Sequence, residues 1–181
     1  MKTSIVTLLI TFCFYLSVYA QAPQDKATEL KEQALSSLKQ KDYIKARYLF
    51  KKAYEAFAAR ENYPQAIECG IQANALYVRE NFYKEGFELC RDMEQFIWTG
   101  EQKQKKVFYD LRFPISKERL QMYIALKNPA QAKNQLDKLE EMAGLAKNDS
   151  LMEVLLYTKA NYYYTFCLLY TSPSPRDSTS S

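Results

Sequence analysis

Apolar residues in the segment 41–57, KDYIKARYLFKKAYEAF, recur at helical spacing. Ala46, Phe50, Ala53 and Phe57 are separated by four, three and four residues, which places them on one face of an α-helix. Forty residues on, the same spacing returns as Gly86, Cys90, Met93 and Ile97, and forty-six further on as Ala132, Leu136, Leu139 and Ala143. One stripe in three copies predicts an array of helical hairpins in which a small side chain lets adjacent helices approach and the apolar residues beside it fill the groove. An array of this kind is a binding surface.

Helix-boundary residues divide the chain accordingly. A first helix is expected from about Asp25 to Gln40, with Leu30, Ala34, Leu35 and Leu38 as its apolar face. Asp42 caps the second. Asn62-Tyr63-Pro64-Gln65 opens a third through an N-cap, a capping-box Gln and a Pro in the first turn, its inner face holding Ile67, Gly70, Ile71, Asn74 and Val78. A fourth runs from Phe82 to about Trp98, with Gly100 as its stop. Pro114 either kinks one long helix within residues 101–128 or separates two shorter ones; the long kinked helix is favoured, with Phe113 pushed away from helical geometry. Asn128-Pro129-Ala130-Gln131 repeats the cap, Pro and Gln pattern and opens the helix of the third stripe, to about Ala146. A capping box at Ser150-Leu151-Met152-Glu153 begins a seventh, with Leu151, Leu155, Thr158 and Tyr162 on its face.

The ends read differently from the body, residues 21–166. Residues 1–20, MKTSIVTLLITFCFYLSVYA, combine an early Lys, an apolar run from Ile5 to Leu16 and the small residues Val18 and Ala20, the pattern of a signal peptide cleaved after Ala20. The run is short for a spanning helix. Cys167 to Asp177, CLLYTSPSPRD, resembles the translation of a transposase-type sequencing adapter over eleven consecutive residues. Residues 167–181 are therefore expected to be an artefact and disordered, the natural chain continuing beyond Phe166. Of four Cys, Cys13 and Cys167 are thereby discounted. Cys69 and Cys90 are expected to be buried thiols, since they fall about a turn out of register on the two helices of one hairpin.

Composition narrows the chemistry. With 48% apolar and 25% charged residues the chain is globular, and 4 Gly and 6 Pro suit helices with short turns. A dispersed net charge of +4 does not favour nucleic acid or a membrane surface as partner. The absence of His removes the commonest general base and metal ligand. Adjacent acids such as Glu140-Glu141 diverge by about 100 degrees on a helix and do not converge on a substrate. With no phosphate-cradling Gly loop, no nucleophile and base pair and no metal spacing, the expectation is a non-enzyme without cofactor or metal.

Asp42, Tyr43, Ala46, Phe50 and Ala53, followed by the small residues Gly86 and Ala132 at matching positions, make residues 25–166 resemble the tetratricopeptide repeat family. Spacings of 40 and 46 exceed the family's usual 34, and Met93 and Leu139 replace an expected small residue. The resemblance implies an all-α, right-handed solenoid of helical hairpins with about seven helices; its truncation at the C-terminus is expected from the adapter match at Cys167 to Asp177. It also implies a concave face, built mainly by the first helix of each pair, that binds protein or peptide segments. Polar or aromatic candidates for that face are Gln33, Ser37, Gln72, Asn74, Tyr77, Arg119, Tyr123, Tyr162 and Tyr163. Asn74 stands out, because an amide on an otherwise small and apolar face needs a partner, most simply an internal one.

A signal peptide followed by such repeats is similar to the exported sensor region of bacterial membrane regulators such as sensor histidine kinases. That resemblance implies a periplasmic sensing module, joined to the membrane only through sequence not present here or an uncleaved leader. Two alternatives remain: a free periplasmic scaffold of an envelope or secretion complex, and a glycan- or small-ligand-binding solenoid in which Tyr123 and Tyr162 share one exposed groove. Tyr162-Tyr163-Tyr164 reads first as a packing surface for a further helix, which makes self-association an added expectation. Lys103 to Lys106 reads as a solvated face, and Asn148-Asp149-Ser150 fits a glycosylation pattern without bacterial consequence.

Overall fold

Short polar side chains decide where the helices begin. The computed structural model describes residues 25–171, with side chains described as far as Phe166. Seven helices follow in order: α1 (Lys26–Lys39), α2 (Tyr43–Ala58), α3 (Tyr63–Arg79), α4 (Tyr83–Gln104), α5 (Tyr109–Ala125), α6 (Pro129–Ala146) and α7 (Asp149–Thr171). There is no strand among the described residues. Side-chain oxygens of Asp25, Asp42, Asn62, Asn128 and Asn148 accept from first-turn amides at 3.0 to 3.4 Å, satisfying donors that the helix itself leaves free.

The connections share one geometry. Lys41, Glu61, Asn81, Lys105, Lys127 and Lys147 all have φ between 50 and 63°, one left-handed residue after each of the first six helices. The amides of Asp42, Asn62, Phe82, Lys106 and Asn128 then donate back to the carbonyls of Ser37, Phe57, Tyr77, Glu101 and Tyr123, closing a Schellman turn. In four of these turns the closing residue also precedes the next helix directly, so helix end and helix start are fused and successive helices double back.

Packing follows the same order. Each helix packs on the next, and α3 also meets α5 and α5 meets α7, so the first helices of successive hairpins form a layer flanked by the second helices. All twelve stripe residues, from Ala46 to Ala143, are buried. Two apolar clusters result, one spanning α1 to α5 and one spanning α5 to α7. Helix α5 serves both: Ile115 and Met122 belong to the first, Phe113 and Leu120 to the second.

Several expectations are corrected. Leu35 is 40% exposed, because the buried face of α1 runs through Ala27, Ala34 and Ser37, and Leu35 lies 100 degrees off that line. Gly100 does not stop α4, which continues to Gln104 and ends on left-handed Lys105. Its lack of a side chain instead admits the Tyr63 ring, whose Cε1 would stand 2.4 Å from an added Cβ. Residues 101–128 form no single long helix. The break falls at 105–108, while Pro114 and Phe113 both lie inside α5. Helix α7 starts at Asp149 under an Asn148 cap, not at a Ser150 capping box, because Asn148 follows a left-handed Lys as Asn128 does. Its backbone runs to Thr171, since Cys167 to Thr171 contain no helix breaker. Residues 1–20, where a signal peptide is expected, and residues 172–181 lie outside the described residues.

Candidate functional site

Helices α4 and α6 both pack on α5, and the space between them is an open groove of about 630 Å³. From α4 come Arg91, Glu94, Gln95 and Trp98, spaced to share one helix face. The floor is the α5 face carrying Tyr109, Arg112, Ser116 and Arg119, and α6 supplies Gln135, Lys138, Met142 and Leu145. Trp98 and Leu145 are about half exposed, at 51% and 55%. Large apolar side chains left this open beside a groove mark a surface available to a partner.

Electrostatics divide the groove along its length. Arg119 Nη2 pairs with Glu94 Oε2 at 2.9 Å. Burial raises the Glu94 carboxyl from its ordinary pKa, against the opposing pull of Arg119, Lys138 and Arg112. Trp98, Val107, Tyr109, Met142 and Leu145 occupy the other end, where α4 and α6 finish and α5 begins. Ser116 and Gln135, both buried, add polar groups to the floor.

Glu101 holds the segment that closes this end. Only 6% exposed, it accepts from the Phe108 amide at 2.8 Å and from Arg112 Nε at 2.7 Å, and its second oxygen pairs with Arg112 Nη2. Burial alone would raise its pKa, but the hydrogen bonds from Arg112 and Phe108 outweigh that and hold it below the ordinary value. The same carboxylate supplies the cap that Phe108, at the start of α5, lacks. A second hollow of about 600 Å³ adjoins across Val107 and Tyr109, lined also by Tyr63 and by Asp110, which accepts from Asn148 Nδ2 at 2.9 Å.

Beneath the groove lies a buried polar seam. Asn74 Nδ2 on α3 donates to Glu118 Oε2 on α5 at 3.2 Å. Burial raises the pKa of Glu118, and the hydrogen bond from Asn74 and the charge of Lys117 offset this only in part. Asn74 Oδ1 faces Gly86: a Cβ there would meet Met122 Sδ at 2.8 Å and Asn74 Oδ1 at 3.1 Å. The small residue of the second stripe thus makes room for an amide and a thioether together. Cys69 and Cys90 are buried free thiols, pushed up by burial to about 11 and about 12.

The residues expected on a concave face do not converge. Ser37 is buried with its hydroxyl donating to the Gln33 carbonyl at 3.0 Å, Asn74 is sealed in the seam, and Tyr162 is buried against Tyr163 and Phe166. These three are internal packing and hydrogen-bonding groups. Gln33 is exposed and donates to Glu29, Gln72 is exposed, and Tyr163 is 47% exposed. Tyr77 lies under the Arg47 guanidinium at 4.8 Å, and Tyr123 packs at 4.9 Å on Phe87. With Tyr162 buried and Tyr123 engaged by Phe87, the two do not form one exposed platform. Arg119 alone of the nine lines the groove. Trp98, Arg91, Lys138 and Leu145 escaped the sequence reading because they lie on second helices. Their spacing of seven residues, Arg91 to Trp98 and Lys138 to Leu145, was the available signal.

Among the described residues, no group of three or more His, Cys, Asp or Glu could hold a metal ion, and no helix is long and apolar enough to cross a membrane. No family model matches the chain, and no curated protein or solved structure matches it either.

Proposed function

We propose that this chain is a protein- or peptide-binding module of the tetratricopeptide-repeat type, exported across the inner membrane as the sensing region of a longer membrane-attached bacterial signalling protein. The observation that carries the binding reading is the groove over α5, where Trp98 and Leu145 stand about half exposed above a buried polar floor. Aromatic anchors beside polar groups are what a docked segment uses for affinity and orientation. Helical hairpins joined by tight turns hold the two walls at fixed spacing, so a partner meets a preformed site. The role is docking, not catalysis.

Peptide-display selection against the full chain tests this. Selected sequences are expected to lose about tenfold or more in affinity for the Trp98→Ala and Leu145→Ser variants. Binders indifferent to both changes would remove the groove as the seat. Export is checked separately by N-terminal sequencing of the product from a bacterial host. A mature chain beginning at Gln21 is expected, and an intact Met1 would contradict the leader.

A further inference from the structure

The groove is graded in charge, and the grading selects its occupant. On α4, Arg91 precedes Trp98 by seven residues, and on α6, Lys138 precedes Leu145 by seven, so each wall passes from a cation to a large apolar side chain in about two helical turns, roughly 10 Å. Both walls belong to second helices of hairpins and run the same way, so the two cations share one end and the two apolar groups the other. Helix α5 runs back between them, bringing Arg119 to the cationic end, where it pairs with Glu94, and Tyr109 to the apolar end.

Not all of these charges are free. Arg119 is engaged by Glu94, and Arg112 by Glu101. Arg91 and Lys138 are exposed and make no hydrogen bond or ion pair among the described residues. Glu141, between Lys138 and Leu145 on α6, is the one acid of the lining outside an ion pair. It repels a uniformly acidic chain and so favours a segment with its negative charge confined to one end.

We infer that the groove takes a peptide segment with an acidic residue seated against Arg91 and Lys138 and an apolar side chain, about 10 Å along, seated against Trp98 and Leu145. This inference rests on the docking reading above and names the occupant's chemistry. The spacing corresponds to seven residues in a helical peptide or about three in an extended one. The cations steer the encounter and fix its direction, and the apolar end supplies most of the affinity.

Trp98 is the single tryptophan of the chain, so its emission reports the groove directly. The experiment titrates the full chain with three synthetic helical peptides, each with a Leu seven residues after a variable pair that is Asp-Glu, Lys-Lys or Gln-Gln. The Asp-Glu peptide is expected to shift Trp98 emission to the blue. Its affinity should fall about tenfold in Arg91→Glu or Lys138→Glu, and should weaken as salt rises. Equal binding by the Lys-Lys or Gln-Gln peptide would overturn the charge assignment while leaving the docking reading intact. No emission change with any peptide would sink both. A Trp98 shift that depends on protein concentration without peptide would assign the groove to a second copy of the chain and overturn the proposal.

Discussion

Gly100 and Gly144 make a matched pair, because the same substitution should change stability in opposite directions at the two sites. An Ala Cβ at Gly100 would stand 2.4 Å from Tyr63 Cε1 and 2.6 Å from Cζ, whereas at Gly144 nothing lies within 4 Å. The Tyr63 ring cannot simply swing aside. It is 7% exposed, stacked on Phe96 at 4.7 Å and 23°, and tilted against Phe108 at 5.4 Å. Overpacking of this kind costs about 1–3 kcal/mol, and a disturbed aromatic stack adds about 0.5–1.5 kcal/mol. Against that, Gly to Ala within a helix gains about 1 kcal/mol. Gly100→Ala should therefore destabilise by about 0.5–3.5 kcal/mol, while Gly144→Ala should stabilise by about 0.5–1 kcal/mol. Urea unfolding followed by circular dichroism reads both as shifts in midpoint at constant slope. Adding Tyr63→Leu to Gly100→Ala should recover part of the loss. If Gly100→Ala proved as stabilising as Gly144→Ala, or if Tyr63→Leu failed to couple to it, the close approach of α3 to α4 would be refuted.

Glu101→Gln should cost about 2 kcal/mol by breaking the charge-assisted bonds to Arg112. Because its folded pKa is depressed, the wild-type contribution is present above the ordinary carboxylate range and is lost as pH falls through the folded value; a variant with an unchanged acid limb would contradict this. Glu118 has the opposite sign: with its folded pKa raised, its stabilising contribution is complete below the ordinary carboxylate value and drains away as pH rises through the folded one, so Glu118→Gln should flatten stability across that interval. Lys41→Gly and Lys127→Gly should each stabilise by about 0.5–1 kcal/mol through relief of left-handed backbone, measurable as a raised melting temperature. On the outer side of α7, Leu156, Tyr157 and Tyr164 are 62%, 78% and 69% exposed, so sedimentation should show concentration-dependent association that Leu156→Lys with Tyr164→Lys abolishes.

Much of the helical array was legible in the sequence, and the reason is chemical. The stripes at Ala46, Gly86 and Ala132 follow helical periodicity strictly, and Asp42, Asn62 and Asn128 act locally as caps, so both signals survive without knowledge of the tertiary fold. The turns were less legible because their left-handed residues are Lys, Glu and Asn, not Gly, and nothing in a Lys announces positive φ. Gly100 misled for the converse reason: its missing side chain serves the Tyr63 ring from the partner helix of its own hairpin, a demand set by a residue 37 positions away. Asn74 was readable as an amide in need of a partner, yet that partner, Glu118, lies 44 positions away. The groove was missed because its walls come from two helices separated by a third. Only the packing of α4 and α6 on α5 brings Arg91 and Lys138, and Trp98 and Leu145, to the two walls of one gap.

The most direct test of the account is an amide and indole NMR map of the full chain with and without the Asp-Glu peptide. Shifts confined to the Trp98 indole and to the backbone around Arg91, Gln135, Lys138 and Leu145 are predicted. Shifts concentrated at Gln33, Gln72 and the exposed side of α3, with the Trp98 indole unmoved, would contradict it.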